Sequence, residues 1–299
     1  MSLENVVKEK RLVLDHGYVA LVTSWGSDED IIAAARMSTG RGFVSWDPYV
    51  RCKHCDVVWT LYPPNPYVPS LKNGFMSLLS RDGGPVTSCS KCEPAGATDK
   101  DVFEIFPKGD KALLAYLHLN RHDTPFEMAG AVIEVCAPIF VYREWHRHRT
   151  QGYNEQSARY GPLPDVNYIP TVERLMINAG GSNKQAGTVN GAAVLTEENA
   201  RAFQSGLMHS YAAAEELYQG ALKAGVPKEL ARVHLPVGRY SRMRATTNLR
   251  NWLGFLTLRS DRNPGAQWEI RQYANAVAEI LTPLFPKTFE LYNGSSRSA

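Results

Sequence analysis

Five basic or imidazole side chains fall within a short stretch of this sequence, between residues 143 and 149. They are Arg143, His146, Arg147, His148 and Arg149. Like charges so close together are unfavourable unless an anion or an acid compensates them, and Glu144 lies in the same stretch. Guanidinium groups bind phosphate and carboxylate through paired hydrogen bonds. The cluster therefore predicts an anion site, with an ordinary solvated basic helix as the competing interpretation.

A second polar run follows at residues 154–160. If residues 155–159 are extended, strand alternation places Glu155, Ser157 and Arg159 on one side. A carboxylate, a hydroxyl and a guanidinium in a row suit the sugar, base and phosphate of a nucleotide. Because no Asp–His pair accompanies Ser157, we interpret it as a hydrogen-bonding group and not as a nucleophile.

Both runs resemble the flavin-dependent thymidylate synthases. Arg147-His148-Arg149 followed after seven residues by Ser157 matches the signature of that family, and residues 154–160 match its continuation. Other segments resemble family segments in the family's order, namely residues 34–38, 122–127, 137–140, 183–185, 227–232, 248–250, 258–261 and 266–269. The resemblance covers most of the chain outside residues 40–108.

The resemblance implies an enzyme that reductively methylates dUMP to dTMP. It implies FAD reduced by NADPH, methylenetetrahydrofolate as the carbon donor, and a homotetramer. The flavin would be contacted by Thr124, Arg147, His148, Arg149, Glu155, Asn248, Leu249, Arg250 and Gly254. The nucleotide would be held by Glu144, Trp145, His146, Arg147, Glu155, Gln156, Ser157, Ala158, Arg159, Arg232 and Arg259. Arg259 would be the catalytic residue, because its cation would stabilise the charge that appears when N3 of the pyrimidine loses its proton.

Three positions depart from the family pattern. Glu144 stands where a glutamine often contacts dUMP, and Gly254 stands where a flavin-contacting asparagine often lies. The segment at residues 262–266 is longer than usual and lacks a histidine. These departures leave room for a related flavin-dependent one-carbon transfer to a pyrimidine nucleotide, such as hydroxymethylation.

Four of the five cysteines form two C-x-x-C pairs, Cys52 with Cys55 and Cys89 with Cys92. Two such pairs predict a structural, tetrahedral zinc site; disulfides, free thiols or rubredoxin-like iron are the alternatives. Zinc knuckles also occur in nucleic-acid-binding proteins, but residues 52–92 hold few lysines and arginines and a matching number of acids. The sequence therefore argues against nucleic acid as the partner.

The fifth cysteine, Cys136, lies in the apolar run at residues 129–136. The other class of thymidylate synthase needs a cysteine thiolate to attack the pyrimidine. A thiol among apolar neighbours is expected to be an inert core group with a raised pKa. We therefore expect no protein nucleophile, which fits chemistry carried by a cofactor.

The whole chain has 299 residues, 44% of them hydrophobic, and a formal net charge of +3. Such a chain can bury a sizeable core, and its net charge is too small to indicate general binding of nucleic acid or membranes. It contains no apolar run of about 18 residues and no signal-peptide pattern near its start. We expect a cytoplasmic protein.

The elements that must position the two runs are predicted from periodicity and caps. Strands are expected at residues 18–25, 129–136 and 240–247. Helices are expected from Pro138 to near Gly152, from Thr196 to Gly225, and at residues 249–260 and 266–285. The fold class is α+β, a single catalytic domain (residues 1–39 and 109–290) with long packed helices around a mixed sheet. Residues 40–108 are expected to be a cysteine-knuckle insertion, and residues 291–299 a tail.

Overall fold

The computed structural model describes residues 10–60, 67–72, 75–80, 103–177, 187 and 194–295, without side-chain detail for residues 60–80. The chain divides into two compact units. The first comprises residues 1–25, 129–285 and 295–299, and the second residues 26–128 and 286–294. The borders expected for the insertion, at residues 40 and 108, stay a prediction.

Strands and helices alternate irregularly along the described chain. The strands are β1 (Lys10–Val13), β2 (Gly17–Trp25), β3 (Tyr49–Cys52), β4 (Val58–Thr60), β5 (Tyr67–Lys72), β6 (Phe75–Ser80), β7 (Phe103–Phe106), β8 (Gly130–Pro138), β9 (Gly152–Glu155) and β10 (Tyr240–Asn248). The α-helices are α1 (Asp28–Arg36), α2 (Lys111–Leu119), α3 (Ile139–Trp145), α4 (Val172–Met176), α5 (Glu197–Lys223), α6 (Lys228–Ala231), α7 (Leu249–Arg259), α8 (Trp268–Leu281) and α9 (Pro286–Gly294). Short 3-10 helices cover Met37–Thr39 and Thr124–Met128.

The first unit is built on a five-stranded sheet in the order β1-β2-β8-β10-β9. Every pairing in it is antiparallel, so the expectation of a mixed sheet was wrong. The physical reason is that parallel neighbours need a long crossover between them, and the sequence lacks regular strand–helix–strand alternation. The α+β class itself is confirmed, since helices and an antiparallel sheet share the unit.

The two faces of this sheet differ in polarity. Met243 and Ala245 of β10 and Ile133 of β8 are buried, and helices α7 and α8 pack in this unit against strands of the sheet. The alternate side chains Arg242 and Arg244 point to the opposite face, which is partly exposed. This period of two places the apolar side chains in one layer with the helices.

The helix α8 supplies much of the buried core. Ile270, Tyr273, Val277 and Ile280 follow helical spacing and are buried, whereas Leu284, beyond the end of the helix, is only half-buried. Tyr273 reaches the β1–β2 turn, where a Cβ at Gly17 would lie 2.0 Å from the tyrosine hydroxyl oxygen. Only glycine permits this approach.

The long helix α5 begins at the predicted cap, because the Thr196 side chain accepts a hydrogen bond from the Asn199 backbone N–H. A buried ion pair ties the helix to its unit: Arg239 donates from Nη2 to Glu215 Oε2 at 2.5 Å. Few of the helix's apolar side chains belong to the core, since Tyr218 is buried but Phe203 is 51% exposed. Polar anchoring, more than apolar packing, therefore attaches α5 to its own unit.

The second unit contains a three-stranded sheet, β4-β3-β7, and the two-stranded pair β5–β6. Its buried carboxylates each accept hydrogen bonds. Asp110 accepts from Arg36, Tyr49 and the Val44 backbone N–H. Asp28 at the start of α1 accepts from the Thr288 hydroxyl at 2.6 Å. This contact places α9 against α1, and α9 extends through the first four residues of the segment expected to be a tail.

Candidate active site

Helix α3 is anchored to the sheet at its start and to helix α7 at its end. Pro138 closes β8 and stands at the N-cap of α3 with extended ψ. The buried Tyr142 hydroxyl lies 2.7 Å from the Ser241 carbonyl oxygen and accepts from the Ala137 N–H at 3.1 Å. Trp145 is fully buried and packs on Phe255 of α7 with ring centroids 4.6 Å apart. The helix therefore has one fixed position beside α7.

The helix ends at Trp145, earlier than the predicted end near Gly152. The difference arises because residues 146–151 form the turn that returns the chain into β9. The Trp145 indole donates to Gln151 Oε1 at 3.0 Å, and the Tyr153 hydroxyl lies 2.7 Å from the His148 carbonyl oxygen. Arg147 and Arg149 are therefore carried on a braced turn, with exposed side chains, and not on a helix face.

Three predicted site residues meet at the end of α7. Arg259 donates from Nη1 to Glu144 Oε2 at 2.6 Å and from Nε to His148 Nε2 at 3.1 Å. The His148 ring also packs edge-on against Phe255 at 5.0 Å. The Arg259 side chain is 19% exposed, so this cluster of cation, carboxylate and imidazole lies at the border of core and solvent.

The imidazole of His148 is held neutral. Burial, and after it the neighbouring Arg259 cation, lower the pKa of His148 to about 4. A neutral imidazole can accept at Nε2 from the guanidinium, which an imidazolium cannot do. The arrangement therefore places a single positive charge in the cluster, on Arg259.

Residues 155–160 do not form the extended row that the alternation predicted. Strand β9 ends at Glu155, and the Gln156 backbone N–H donates to the Arg242 carbonyl at 2.7 Å. The chain then turns, because the Ser157 hydroxyl accepts from the Arg159 N–H at 3.3 Å. Ala158 is buried beneath this turn, so Glu155, Ser157 and Arg159 do not share one side.

The candidate flavin contacts at residues 248–254 differ in their exposure and in their hydrogen bonds. Asn248 caps the helix, since its Oδ1 accepts from the Asn251 N–H at 3.0 Å. Leu249 is fully buried, and its backbone N–H donates to the Ala129 carbonyl at 2.7 Å. Arg250 is exposed. A Cβ added to exposed Gly254 would have nothing within 4 Å, so packing does not require glycine at that position.

The remaining candidates lie elsewhere in the fold. His146 lies 3.2 Å from the Met243 sulfur and packs on the Tyr153 ring at 4.7 Å. Arg232 follows α6, and no hydrogen bond within the described ranges joins its side chain to Arg259. Thr124 begins a 3-10 helix of the second unit.

The metal candidates are only partly covered by the structure. Cys52 ends β3, and the Asp56 N–H donates to its carbonyl at 3.0 Å, so Cys52 and Cys55 share one tight turn. Cys89 and Cys92 lie outside the described residues. Within those residues no group of three or more metal-ligating side chains occurs.

Cys136 is not the core residue that was expected, because it is half-buried on the partly exposed face of the sheet, where it pairs with Arg242 of β10. Burial raises the pKa of Cys136 to about 11. A thiol in that state contributes very little thiolate at neutral pH.

Gln151, Tyr153 and Phe255 are supporting residues that the sequence reasoning missed. They touch the candidate residues directly and fix the turn and the imidazole. Phe255 could have been found from its place one helical turn before Arg259. Gln151 and Tyr153 carry no such signal, because their partners become neighbours only after the turn forms.

The site places a guanidinium and two exposed arginines beside a neutral imidazole, an arrangement suited to an anionic, planar ligand such as a nucleotide. Comparison with known proteins indicates which family of nucleotide-binding proteins the chain resembles. A sequence model of the family "Thymidylate synthase complementing protein" matches residues 85–287. The flavin-dependent thymidylate synthase of Thermotoga neapolitana is 34% identical over 226 residues, 75% of this chain and 93% of its own. That of Thermus thermophilus is 38% identical over 220 residues, 73% of this chain and 75% of its own.

A solved structure of similar fold covers nearly the whole chain. The UMP/dUMP methylase PolB from Streptomyces cacaoi, bound with 5-Br UMP, superposes with a TM-score of 0.64 at 25% identity. The match covers 96% of this chain and 98% of PolB. The chain belongs to the flavin-dependent thymidylate synthase family and is an enzyme.

None of the helices in the described ranges has the length and apolar character needed to cross a membrane.

Proposed function

We propose that the protein reductively methylates dUMP to dTMP, with FAD as its cofactor and without a protein nucleophile. The observation that carries this proposal is the Arg259 cluster, a cation held at 2.6 Å from Glu144 and 3.1 Å from neutral His148. A cation fixed at the edge of a pyrimidine stabilises the negative charge that develops on loss of the N3 proton. The high pKa of the Cys136 thiol fits a mechanism without thiolate attack.

The described residues fit an FAD cofactor. Arg147 and Arg149 are exposed on either side of His148 in a braced turn, and two guanidinium groups suit a pyrophosphate. Gly254 is exposed and presents bare backbone on α7, against which a ring system would lie. When bound, the flavin would carry reducing equivalents from NADPH to the one-carbon unit that methylenetetrahydrofolate donates.

The nucleotide would lie between the two polar runs. In this proposal Ser157, Arg159 and Arg232 hold the phosphate and sugar, while Arg259 faces the pyrimidine edge. Arginine suits this role because it presents its donors in a planar fork. His148, being neutral, supports the guanidinium without adding a competing positive charge.

The experiment is a spectrum followed by an assay on the purified protein. We expect flavin absorption after saturation with FAD, and dTMP from dUMP, NADPH and methylenetetrahydrofolate. Parallel assays with UMP and mass analysis of the product distinguish the alternatives, since PolB is described as a UMP/dUMP methylase. A 5-hydroxymethyl product would select the related one-carbon transfer, and failure to bind any flavin would contradict the proposal.

We further propose a homotetramer, with α5 covered by other copies of the chain. This 27-residue helix buries only Ala200 and Tyr218. Phe203, Met208 and Leu217 are each more than half exposed. Exposed apolar side chains distributed along a helix of this length are typical of a subunit interface. Light scattering should give four chains per particle, and a fully active monomer would contradict this.

For the cysteine pairs we propose one structural zinc per chain. The support is the tight turn that carries Cys52 and Cys55, in which Asp56 has a left-handed φ of 56°. Elemental analysis should find about one zinc, lost in Cys52→Ser and in Cys92→Ser. Because the five-stranded core lies in the other unit, these variants should lose local structure but keep the main unfolding transition. The variant Cys136→Ser, at a half-buried cysteine outside the two pairs, is the control that should retain the metal, and zinc-free protein prepared without chelator would refute the site.

A further inference from the structure

The hydrogen bonds of Arg259 use only part of its donor capacity. A guanidinium has five N–H donors. Nε donates to His148 Nε2 at 3.1 Å, and Nη1 donates to Glu144 Oε2 at 2.6 Å. Within the described chain Nη2 has no hydrogen-bond acceptor, and the side chain keeps 19% of its surface exposed. Two N–H groups of Arg259 thus donate to the protein, while Nη2 is available to a ligand.

The imidazole acceptor is held by the core, and the carboxylate acceptor extends from an anchored helix. His148 packs on Phe255, and its carbonyl is bound by the Tyr153 hydroxyl at 2.7 Å. Glu144 directly precedes the fully buried Trp145 on α3, so its backbone has a fixed position although its side chain is partly exposed. Because two of its nitrogen atoms bond to these two acceptors, the guanidinium has a defined plane. A long arginine side chain without such partners would sample many rotamers.

We propose that Glu144 is a positioning residue for Arg259: with the imidazole of His148 it fixes the guanidinium plane so that Nη2 faces the pyrimidine. The proposal rests on the proposed function for its catalytic consequence. Its structural part, the restraint of Arg259 by Glu144, does not. A hydrogen-bond acceptor is what the restraint requires, so the amide oxygen of glutamine should serve where alanine should not.

The first test measures the restraint without any turnover. Holoprotein is treated with phenylglyoxal, which adds to accessible guanidinium groups, and modification of Arg259 is followed by peptide mass analysis. We expect severalfold faster modification in Glu144→Ala than in the wild type, and a nearly unchanged rate in Glu144→Gln. Glu279→Ala is the matched control, because it removes the surface carboxylate 3.6 Å from Arg11 and should leave Arg259 reactivity unchanged. Equal Arg259 reactivity in all four proteins would overturn the proposal.

The second test uses a double-mutant cycle in the FAD-loaded enzyme. Glu144→Ala should lower dTMP turnover on the order of tenfold, as expected for a misplaced catalytic group, while NADPH reduces the flavin at the normal rate. Glu144→Gln should recover most of the loss. In an Arg259→Ala background, Glu144→Ala should add no further loss, because a residue that acts through another is non-additive with it.

The outcomes separate the two proposals. Independent, multiplying losses in the cycle, or a glutamine variant as poor as alanine, would mean that Glu144 acts on the substrate itself and would overturn the positioning role. If the wild type forms no dTMP, the proposed function fails, and the phenylglyoxal measurement still decides whether Glu144 restrains Arg259. Thermal unfolding of each variant confirms that the fold is kept, as expected for a carboxylate with 40% side-chain exposure.

Discussion

The two polar runs of the site carry similar side chains but are held in different ways. In residues 143–149, Trp145 is fully buried and its indole is bound to Gln151. In residues 155–160, Tyr160 is 80% exposed, and the Arg159 guanidinium lies over its ring at 5.8 Å. The first run takes its geometry from the core, whereas the second depends on a local turn. Changes in the first run should therefore act on stability and chemistry, and changes in the second mainly on binding.

The largest expected effect is a loss of stability on replacing Trp145, the buried residue that anchors the first run. Trp145→Ala should lower the free energy of unfolding by about 3–5 kcal/mol, the usual cost of emptying a buried aromatic site. It also leaves the nearly buried Gln151 amide without its partner. Urea unfolding of the FAD-saturated protein measures the change. The matched control is Tyr160→Ala in the second run, which should stay within about 0.5 kcal/mol of the wild type. Equal losses of stability in the two variants would mean that the two runs do not differ in how they are held.

A catalytic effect of similar size is expected at Arg259. Arg259→Ala should lower dTMP turnover by about a hundred- to a thousandfold, the typical loss for one preorganised charge-stabilising donor. Arg259→Lys should rescue poorly, since lysine lacks the planar fork that meets both Glu144 and His148. Stopped-flow reduction of the flavin by NADPH should be unchanged in both variants.

A second interpretation of Arg259 makes this prediction falsifiable. The residue ends α7, where a cation interacts favourably with the helix dipole by only about 0.3–1 kcal/mol. If the alanine variant kept near-normal dTMP formation while losing a little stability, Arg259 would be a helix-end cation. The activating charge would then have to come from Arg147, Arg159 or Arg232.

Much of this fold could be predicted from local sequence. The strand at Gly17–Trp25, the capped start of α5 and the helix Leu249–Arg259 were expected close to their observed bounds. Caps and periodicity are local signals, which is why they were legible. The short strands β1 and β9 were missed, because strands of four residues depend on a partner that is distant in sequence.

The site was harder to predict than the fold. The resemblance named Glu144, His148 and Arg259. It did not show that Arg259 bonds to both of the others, His148 lying 111 positions and Glu144 115 positions earlier in the sequence. Position along one helix does not explain how Glu144 and His148 both reach Arg259, because His148 lies beyond the end of α3. They converge because the turn closed by Tyr153 brings the imidazole back to α7.

A smaller effect, on pH dependence, is expected from His148. Its pKa is about 4 when folded and about 6.5 when unfolded. Between those values the unfolded chain binds the extra proton, so stability falls as pH drops from 6.5 towards 4 and is unaffected by this group above 6.5. His148→Gln should lose less stability than the wild type between pH 7 and pH 5, measured by urea unfolding. The exposed His209→Gln is the control and should keep the wild-type difference.

The smallest effect on the fold, and the clearest on binding, is expected at Ser157. Its hydroxyl accepts only the Arg159 N–H at 3.3 Å in an exposed turn, so Ser157→Ala should change stability by less than about 0.5 kcal/mol. Loss of one hydrogen bond to a charged phosphate should weaken dUMP binding about tenfold. Titration of the FAD-loaded protein with dUMP measures this, with Ser157→Thr retaining the hydroxyl. Unchanged affinity together with a large loss of stability would make the second run a structural turn and leave the nucleotide to the first.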